Sequence, residues 1–343
     1  MRIRSIALLA TISLAACGGG GDKQNAGATQ AGTPGDKKTF TVAMIGKSSS
    51  NPVFLSGRTG AEAAAKELSA EHRIDVRVEW LTPPSEDAAV QAQRIAQAVN
   101  GGADAILFSA SEAGKVVGAI NEAVDRGVPV MTFDSDVPTS KRFSFYGGDD
   151  EAMGRQVMEE LARQMGGSGK VAILGGNQNA PNLQKRVKGA RDEAAKHPGI
   201  TVVNAFYHEE TPQAAAAEVL RAQNAYPDVK GWAMIGGWPL FTKALLTDLD
   251  PNKVKIVSVD ALPAELPYVE RGLAPVLFAQ PTYNWGYMGV KTIFDHVVLK
   301  KEVPPHVKMD LIKVSKDNLG EWARQLQSWG FTDVDPKYTA LPK

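Results

Sequence analysis

The chain has 343 residues and a hydrophobic content of 43%, enough for two globular domains of ordinary size with sizeable cores. Its formal net charge is zero, so no basic field favours nucleic acid and no acidic field favours a cationic partner. A single cysteine, Cys17, excludes a disulfide framework within the chain.

The first 16 residues have the pattern of a targeting segment. Arg2 and Arg4 precede the apolar stretch 6–14, which is too short to span a bilayer as a mature anchor. The stretch ends in Leu-Ala-Ala before Cys17, which resembles a bacterial lipobox, where the cysteine is lipidated and becomes the first mature residue. An ordinary signal peptide with an incidental cysteine is the alternative. We predict a lipoprotein signal peptide over 1–16 and a lipid on Cys17.

Residues 17–38 are rich in glycine and polar residues and contain no aromatic residue. This composition predicts a flexible tether. Gly18–Gly21 resembles a phosphate-binding loop only superficially, because no strand precedes it.

A strand, a polar loop and a helix follow over residues 39–68. The apolar run 40–45 predicts a buried strand, and apolar residues at helical spacing predict a helix over its second half. Asn51 before Pro52 predicts a helix N-cap with proline at the first helical position. Ligands of open parallel sheets bind outside the carboxyl ends of the strands, so the polar loop is a candidate binding element.

The rest of the chain repeats this unit. Apolar runs predict strands at Ile74–Trp80, Ala103–Phe108, Val128–Phe133, Val171–Leu174, Thr201–Phe206, Trp232–Ile235, Val254–Val259 and Ala274–Ala279. Helical periodicity predicts helices at Glu86–Val99, Ala113–Asp125, Glu151–Met165, Leu183–Lys196, Ala214–Asn224, Leu240–Leu249, Tyr283–Leu299 and Asn318–Trp329. Such alternation predicts parallel sheets covered by helices on both faces, with right-handed crossovers.

The alternation breaks once, around Phe143–Gly148. Apolar residues there follow the preceding strand with only a turn between, and a new helix begins directly afterwards. We interpret this break as the point where the chain leaves one lobe for another. So many alternating units would overfill one sheet, which also favours two lobes.

Seven short motifs occur in one order along the chain: Ser50–Phe54, Gly102–Leu107, Gly127–Asp134, Gly148–Gly154, Asn182–Gly189, Val259–Asp260 and Ala279–Gln280. In this order they resemble the periplasmic sugar-binding proteins of ABC importers, of the ribose- and galactose-binding type. The resemblance covers residues 38–314. It implies an α/β fold of two doubly wound parallel-sheet lobes, joined by a three-crossover hinge, with the ligand cleft between them. By analogy, lobe one holds 39–149 and 281–309, and lobe two holds 150–280 and 310–343.

The resemblance also implies a function. We expect an extracytoplasmic lipoprotein, at the periplasm or cell surface, that captures a sugar or polyol and delivers it to an ABC permease. A monomer without cofactor, metal or nucleic acid is expected. The alternatives are a sensory protein that presents its ligand to a receptor and an enzyme on the same scaffold. A transcription repressor of this fold would need an amino-terminal helix-turn-helix, where this chain has a signal peptide.

Two charged residues match ligand-binding positions of that family. Asp134 ends a strand, where it either caps the next turn or accepts hydrogen bonds from sugar hydroxyls. Arg186 lies about one turn into a helix and is either solvated or a fork for vicinal hydroxyls or a ring oxygen. It is also suited to pair with Asp134 or Asp260 across the cleft and to keep that acid charged. The family usually has arginine after the acid, whereas this chain has Ser135. We expect Asp134 and Arg186 on opposite walls of the cleft, joined by a ligand.

The remaining candidates are also implied by the resemblance. Asp260 and Gln280 each end a strand, and Gln280 is equally suited to a hinge role. Phe54 and Trp238 are expected to stack on the C–H faces of a sugar. Trp238 lies where the family has an Asn-Asp pair, and Ser109 lies where asparagine is common. Asn51 is either only an N-cap or also a ligand contact.

No catalytic set emerges from the sequence. The five histidines show no metal-ligand spacing, and the chain has neither a Gly-x-Ser-x-Gly elbow nor a phosphate loop. Four histidines fall in segments interpreted as surface; His208 ends a strand and reaches either solvent or the cleft. We therefore expect a binding protein rather than an enzyme.

Overall fold

Two six-stranded sheets organise the described part of the chain, residues 39–342 of a computed structural model. The predicted signal peptide, the lipidated Cys17 and the tether lie outside the described residues. The elements in chain order are β1 (Thr39–Ile45), α1 (Pro52–His72), β2 (Asp75–Trp80), α2 (Ala88–Asn100), β3 (Ala105–Phe108), α3 (Ala113–Asp125), β4 (Val130–Phe133), β5 (Ser144–Gly147), α4 (Asp150–Gln164), β6 (Gly169–Leu174), α5 (Pro181–Ala194), β7 (Ile200–Phe206), α6 (Pro212–Ala225), β8 (Val229–Met234), β9 (Lys255–Val259), α7 (Leu266–Glu270), β10 (Val276–Ala279), α8 (Tyr283–Val297), β11 (His306–Lys308), β12 (Ile312–Val314), α9 (Leu319–Ser328) and α10 (Pro336–Thr339).

The two sheets have the same strand order. It is β2-β1-β3-β4-β5-β11 in the first sheet and β7-β6-β8-β9-β10-β12 in the second. Neighbouring strands are parallel except β10 and β12, which are antiparallel. The order reverses at β1/β3 and at β6/β8, and such switch points open a crevice at the carboxyl ends of the strands. The predicted α/β fold with two doubly wound sheets is confirmed.

Each sheet is covered by helices on both faces. Helices α1, α2, α3 and α8 pack on the first sheet, and we call this unit lobe one; α4, α5 and α6 pack on the second sheet, and we call this unit lobe two. The chain passes between the sheets after β5, after β10 and between β11 and β12. The exact lobe boundaries given above remain a prediction.

Glycines allow two helix pairs to approach backbone to backbone. A Cβ on Gly286 of α8 would lie 1.9 Å from the Gly57 carbonyl oxygen of α1. A Cβ on Gly154 of α4 would lie 1.9 Å from the Arg186 carbonyl oxygen of α5. Contact this close excludes any side chain at these positions, so it fixes α5 and its arginine relative to α4.

The sequence analysis predicted β2, β3 and β4 of the first sheet and β6 to β10 of the second sheet. The predicted bounds agree with the observed ones within a few residues. The helix expected at Leu240–Leu249 is wrong. A short 3-10 helix, Trp238–Leu240, stands at its start, and turns follow. The apolar residues Leu240, Leu246 and Leu249 are buried against the lobe-two core without a continuous helix, so tertiary packing overrides the local pattern.

Candidate functional site

Loops from both lobes meet at the carboxyl ends of the strands and enclose a cavity of about 30 Å³. It is lined by Lys47, Asn51, Val53, Phe54, Asp134, Asn182, Leu183, Arg186, Glu210, Gly236, Trp238, Asp260, Gln280 and Trp285. This volume holds one or two water molecules, whereas pockets for small organic ligands have roughly 300–1,000 Å³. A ligand larger than a few atoms therefore enters only when the lobes move apart.

Asp134 connects the two lobes at the centre of the site. Directly after β4, its Oδ2 accepts a hydrogen bond from Ser109 Oγ at 2.9 Å, and its Oδ1 accepts one from Asn182 Nδ2 of lobe two at 3.2 Å. Arg186 Nη2 lies 3.8 Å from the same Oδ1. Asp134 and Arg186 thus come from opposite lobes as predicted, but they already approach each other directly, without a bridging molecule.

Arg186 is held by its own lobe. Its Nε donates to Asp150 Oδ1 at 2.8 Å, and its Nη2 donates to Gln280 Oε1 at 3.0 Å. Burial raises the pKa of the Asp150 carboxyl to about 6, while the Arg186 charge opposes that rise. Burial would lower the pKa of Arg186, but the neighbouring carboxylates, Asp150 first, raise it instead. The guanidinium is therefore a fixed, fully buried cation rather than a solvated side chain.

Asp260 and Gln280 extend this network. Gln280 Nε2 donates to Asp260 Oδ1 at 2.8 Å, and the Gly237 backbone N–H donates to Asp260 Oδ2 at 3.2 Å. Burial raises the pKa of Asp260 above its usual range. Both predicted side chains reach the cavity, and Gln280 links Asp260 to Arg186.

Two of the site carboxylates stand on strained backbone. Asp134 has φ 55° and Asp260 has φ 75°, both in the left-handed region. Non-glycine residues rarely adopt this conformation, although Asp and Asn tolerate it best. Such strain persists where the surroundings enforce it and clusters at functional sites. It aims both carboxylates from the strand ends into the cleft.

Aromatic side chains form the apolar walls. Phe54 contacts Trp285 at a ring distance of 5.6 Å and Phe133 at 6.3 Å, and it is 1% exposed. Trp238 packs edge-to-face on His208 at 4.9 Å, and its Nε1 donates to Glu210. Phe54 and Trp238 were predicted here; Trp285 was not, because a tryptophan inside a regular helix gives no sign that it reaches a cleft.

Asn51 and Ser109 differ in their relation to the cavity. Asn51 lines the cavity while its Oδ1 caps α1 by accepting from the Val53 N–H at 3.2 Å, so its N-cap role is confirmed. Ser109 does not line the cavity: it is fully buried behind Asp134 and donates to it. In this structure Ser109 orients the carboxylate instead of facing the cleft.

Sequence reasoning missed a charged cluster at one end of the cavity. Lys47 Nζ, from the loop after β1, lies 3.0 Å from Glu210 of lobe two and 3.3 Å from Glu86 of lobe one. Burial would lower the pKa of Lys47, but the two carboxylates raise it above its usual value. The only signal in the sequence was position: these residues lie in loops that follow β1, β2 and β7.

Within residues 39–342, no three His, Cys, Asp or Glu side chains are grouped so that they would hold a metal ion. The same residues contain no helix that is long and apolar enough to cross a membrane.

Similar proteins share this architecture. The chain is 25% identical over 324 residues to the D-ribose/D-allose-binding protein of Pseudomonas aeruginosa, covering 91% of this chain and 97% of that protein. It is 27% identical over 192 residues to the xylitol-binding protein of Mycolicibacterium smegmatis, covering 56% of this chain and 50% of that protein.

A solved structure has a similar fold. An ABC transporter solute-binding protein from Burkholderia graminis, in complex with D-arabinose, has a TM-score of 0.76 and 26% identity; the match covers 82% of this chain and 97% of that one. These similar proteins are binding proteins for sugars or a polyol, and the chain is accordingly a binding protein rather than an enzyme. The model for the periplasmic binding protein domain matches residues 42–302, which is most of the chain, so the chain belongs to the periplasmic binding protein family of sugar-binding, ABC-transporter type.

Proposed function

We propose that this protein captures a neutral monosaccharide or polyol between its two lobes and delivers it to an ABC permease. The observation that supports this most is the set of polar side chains converging on one cavity from both lobes: Asp134, Asn182, Arg186, Asp260 and Gln280. Carboxylates accept hydrogen bonds from hydroxyls, and amide and guanidinium groups donate to them. A polyhydroxylated ligand satisfies both kinds of group at once.

The aromatic walls fit the same ligand class. Phe54, Trp238 and Trp285 present apolar ring surface beside the polar groups. Pockets for small molecules combine such apolar walls with a few convergent polar groups that fix orientation. A sugar ring has C–H faces and hydroxyl edges, which match this division.

Charge pairing favours a neutral ligand. Among the cavity-lining residues, the ammonium of Lys47 is paired with Glu210, and the guanidinium of Arg186 is paired with Asp150. An anionic ligand group would be buried here without a free cation, which is costly, so a neutral ligand is favoured over an anionic one. A hydroxyl exchanges hydrogen bonds with these pairs without adding charge.

The lipid on Cys17 belongs to the same proposal. A lipobox cysteine followed by a glycine-rich tether would keep the binding domain at the outer side of the cytoplasmic membrane or at the cell surface, near a permease. Labelled fatty acid is expected on the wild type and not on Cys17→Ala. Equal labelling of both proteins would contradict the anchor.

Thermal unfolding in the presence of sugars tests the binding function. D-ribose, D-allose, D-arabinose, xylitol and inositols are screened, since a ligand of the folded state at 100 times its Kd adds about 2.7 kcal/mol to the unfolding free energy. At least one neutral compound is expected to raise the Tm by several degrees. Glucosamine and glucuronate serve as charged counterparts, and larger shifts with either of them would contradict a neutral ligand.

Transport is tested in the source cell with the compound that binds. Deleting the gene is expected to abolish high-affinity uptake of that compound. Normal uptake with a lost transcriptional response would instead favour the sensory alternative.

A further inference from the structure

The cluster of Lys47, Glu86 and Glu210 is separate from the Asp134–Arg186 network and spans the lobe boundary. Lys47 and Glu86 belong to lobe one, in the loops after β1 and β2, and Glu210 belongs to lobe two, in the loop before α6. Lys47 Nζ donates to both oxygens of Glu210, at 3.0 and 3.2 Å. Asn177 of lobe two donates to Glu86 Oε2 at 3.4 Å, so contacts cross the boundary in both directions.

We propose that Lys47, Glu86 and Glu210 form an interlobe latch that closes with one proton held between the two glutamates, so that ligand affinity depends on pH. This proposal rests on the proposed function, because the latch acts by stabilising the closed, ligand-bound arrangement. These three residues are positioning residues: they join the lobes around the cavity.

The charge of the cluster favours protonation of one glutamate. Two carboxylates and one ammonium would carry a net charge of −1 if both acids were ionised. The side chains of Lys47 and Glu210 are 3% and 5% exposed and that of Glu86 is 14% exposed, so this charge would be poorly solvated. Burial of an uncompensated charge is avoided by taking up a proton.

Hydrogen bonding within the cluster also requires a proton. Glu86 Oε1 is a buried oxygen with no hydrogen-bond partner, although it lies 3.3 Å from Lys47 Nζ. The Glu86 and Glu210 carboxyl groups both lie within 3.3 Å of the same Lys47 Nζ, and two carboxylates have no donor between them unless one is protonated. One proton therefore supplies the missing donor.

The surroundings support the same assignment. Burial first, and then the charge of Glu210, raises the pKa of Glu86 to about 7, while Lys47 opposes the rise. Asp134 also lies near the cluster, and its charge raises the pKa of Lys47; burial lowers the pKa of His208. Glu209 and Tyr207 line the same pocket as Glu86 and Glu210. None of these groups supplies a second cation to the pair, and Asn177 and the Trp238 N–H are neutral donors.

The sign of the pH effect follows from linkage. With the lobes apart, Glu86 is expected to face solvent and to titrate near the ordinary glutamate value of about 4.3. In the closed form the pKa of Glu86 is about 7, so closing takes up a proton between these two values. The raised pKa stabilises the closed form fully below about pH 4, and this stabilisation is lost as pH rises through 7. Affinity is expected to fall about tenfold from pH 6 to pH 8.

Titration calorimetry tests the expected pH dependence of the affinity. The ligand is the compound that gives the largest Tm shift in the thermal-unfolding screen. Kd is measured at pH 6, 7 and 8 for the wild type, for Glu86→Gln and for Glu112→Gln. Glutamine mimics the protonated acid, so Glu86→Gln is expected to bind at pH 8 as well as at pH 6. Glu112 is a matched control, since it also pairs with a lysine of lobe one, Lys115 at 3.0 Å, but contacts no residue of the latch.

Glu112→Gln is expected to keep the wild-type profile. Buried Asp150 titrates lower, with a pKa of about 6, and belongs to all three proteins, so the difference between profiles isolates Glu86. Identical profiles for wild type and Glu86→Gln would overturn the latch. If Glu86→Gln fails to fold, the radius of gyration of the wild type at pH 6 and at pH 8 tests the latch instead.

Failure of the proposed sugar-binding function can be distinguished from failure of the latch. If no compound in the screen binds, small-angle scattering on the ligand-free full chain reads the latch directly. The wild type is then expected to have a smaller radius of gyration at pH 6 than at pH 8, and Glu86→Gln the same radius at both. Equal wild-type radii would overturn the latch independently of any ligand.

Discussion

Asp134 and Arg186 differ in what they do for the fold. Asp134 accepts hydrogen bonds from neutral groups of both lobes and lies 3.8 Å from the Arg186 guanidinium, while Arg186 donates directly to Asp150, which is 7% exposed. Removing one partner of a buried ion pair leaves an uncompensated charge and costs about 3–5 kcal/mol. Binding and folding can therefore be separated by changing the two residues one at a time.

Asp134→Asn is expected to weaken ligand binding while changing stability little. Asparagine tolerates the φ of 55° and keeps most of the shape, but it loses the charge that accepts hydrogen bonds from ligand hydroxyls. A loss of about 1–3 kcal/mol corresponds to roughly five- to 150-fold in Kd. Titration calorimetry and urea unfolding measure the two effects, and unchanged affinity would mean that Asp134 is only a loop acid.

Arg186→Ala is expected to lower both the affinity and the free energy of unfolding. Its neighbour Lys185, exposed on the same helix, provides the control, and Lys185→Ala should alter neither. Wild-type stability of Arg186→Ala would show that the ion pair with Asp150 contributes nothing to the fold. In the double variant with Asp134→Asn, the loss of affinity should be smaller than the sum, because both residues belong to one network.

Sequence reasoning located part of the site because strand ends are visible in the pattern. An acid directly after an apolar run, such as Asp134 or Asp260, lies at the cleft edge of any parallel sheet. Lys47 and Glu210 carried only the sign of position, in loops after β1 and β7, since a lysine before three serines and a glutamate after another glutamate are otherwise typical of exposed loops. Their partnership joins positions 163 residues apart and exists only in the assembled fold.

At the scale of elements, regular strand–helix units were predictable and helix contacts were not. Gly154 and Gly189 were noted as motif positions, but only the structure shows that a Cβ on Gly189 would lie 2.0 Å from the Glu151 carbonyl oxygen of α4. Periodicity marks which face of a helix is buried; it does not tell how closely two backbones approach. The false helix at 240–249 arose similarly, because burial alone mimicked helical spacing.

Gly154→Ala is expected to destabilise lobe two by about 1–3 kcal/mol or more, because the added methyl group forces α4 away from α5. The movement also displaces Arg186 from Asp150, so ligand affinity should fall as well. Gly118→Ala on α3 is the control: a Cβ there meets open space, and alanine favours a helix interior by about 1 kcal/mol. Denaturant unfolding of both variants decides this; equal effects would contradict close packing of α4 on α5.

At the scale of the whole molecule, polar contacts hold the two lobes together around the cavity. Lys47–Glu210, Asn177–Glu86, Asn182–Asp134 and Arg186–Asp134 all cross the lobe boundary. A polar contact between the lobes replaces contacts with water and contributes only about 0.5–1.5 kcal/mol net, and more where a charge takes part, so the lobes separate at a modest cost and a ligand adds to closure. A hinge motion around three crossing segments is then the simplest way to admit a ligand.

Ligand binding is expected to drive closure of the two lobes. A cavity of about 30 Å³ does not admit a sugar, so the ligand-free protein must populate an opened arrangement, and the ligand must then stabilise closure through groups on both lobes. Small-angle scattering at pH 7 is expected to show a smaller radius of gyration when the compound found by thermal unfolding is added at saturation. Asp134→Asn, at the same ligand concentration, should contract less, because its lobe-one contact to the ligand is weakened while the hinge is intact. A wild-type radius that stays constant with ligand would mean that the lobes form a rigid, preclosed site, and that ligand enters by local side-chain movement instead.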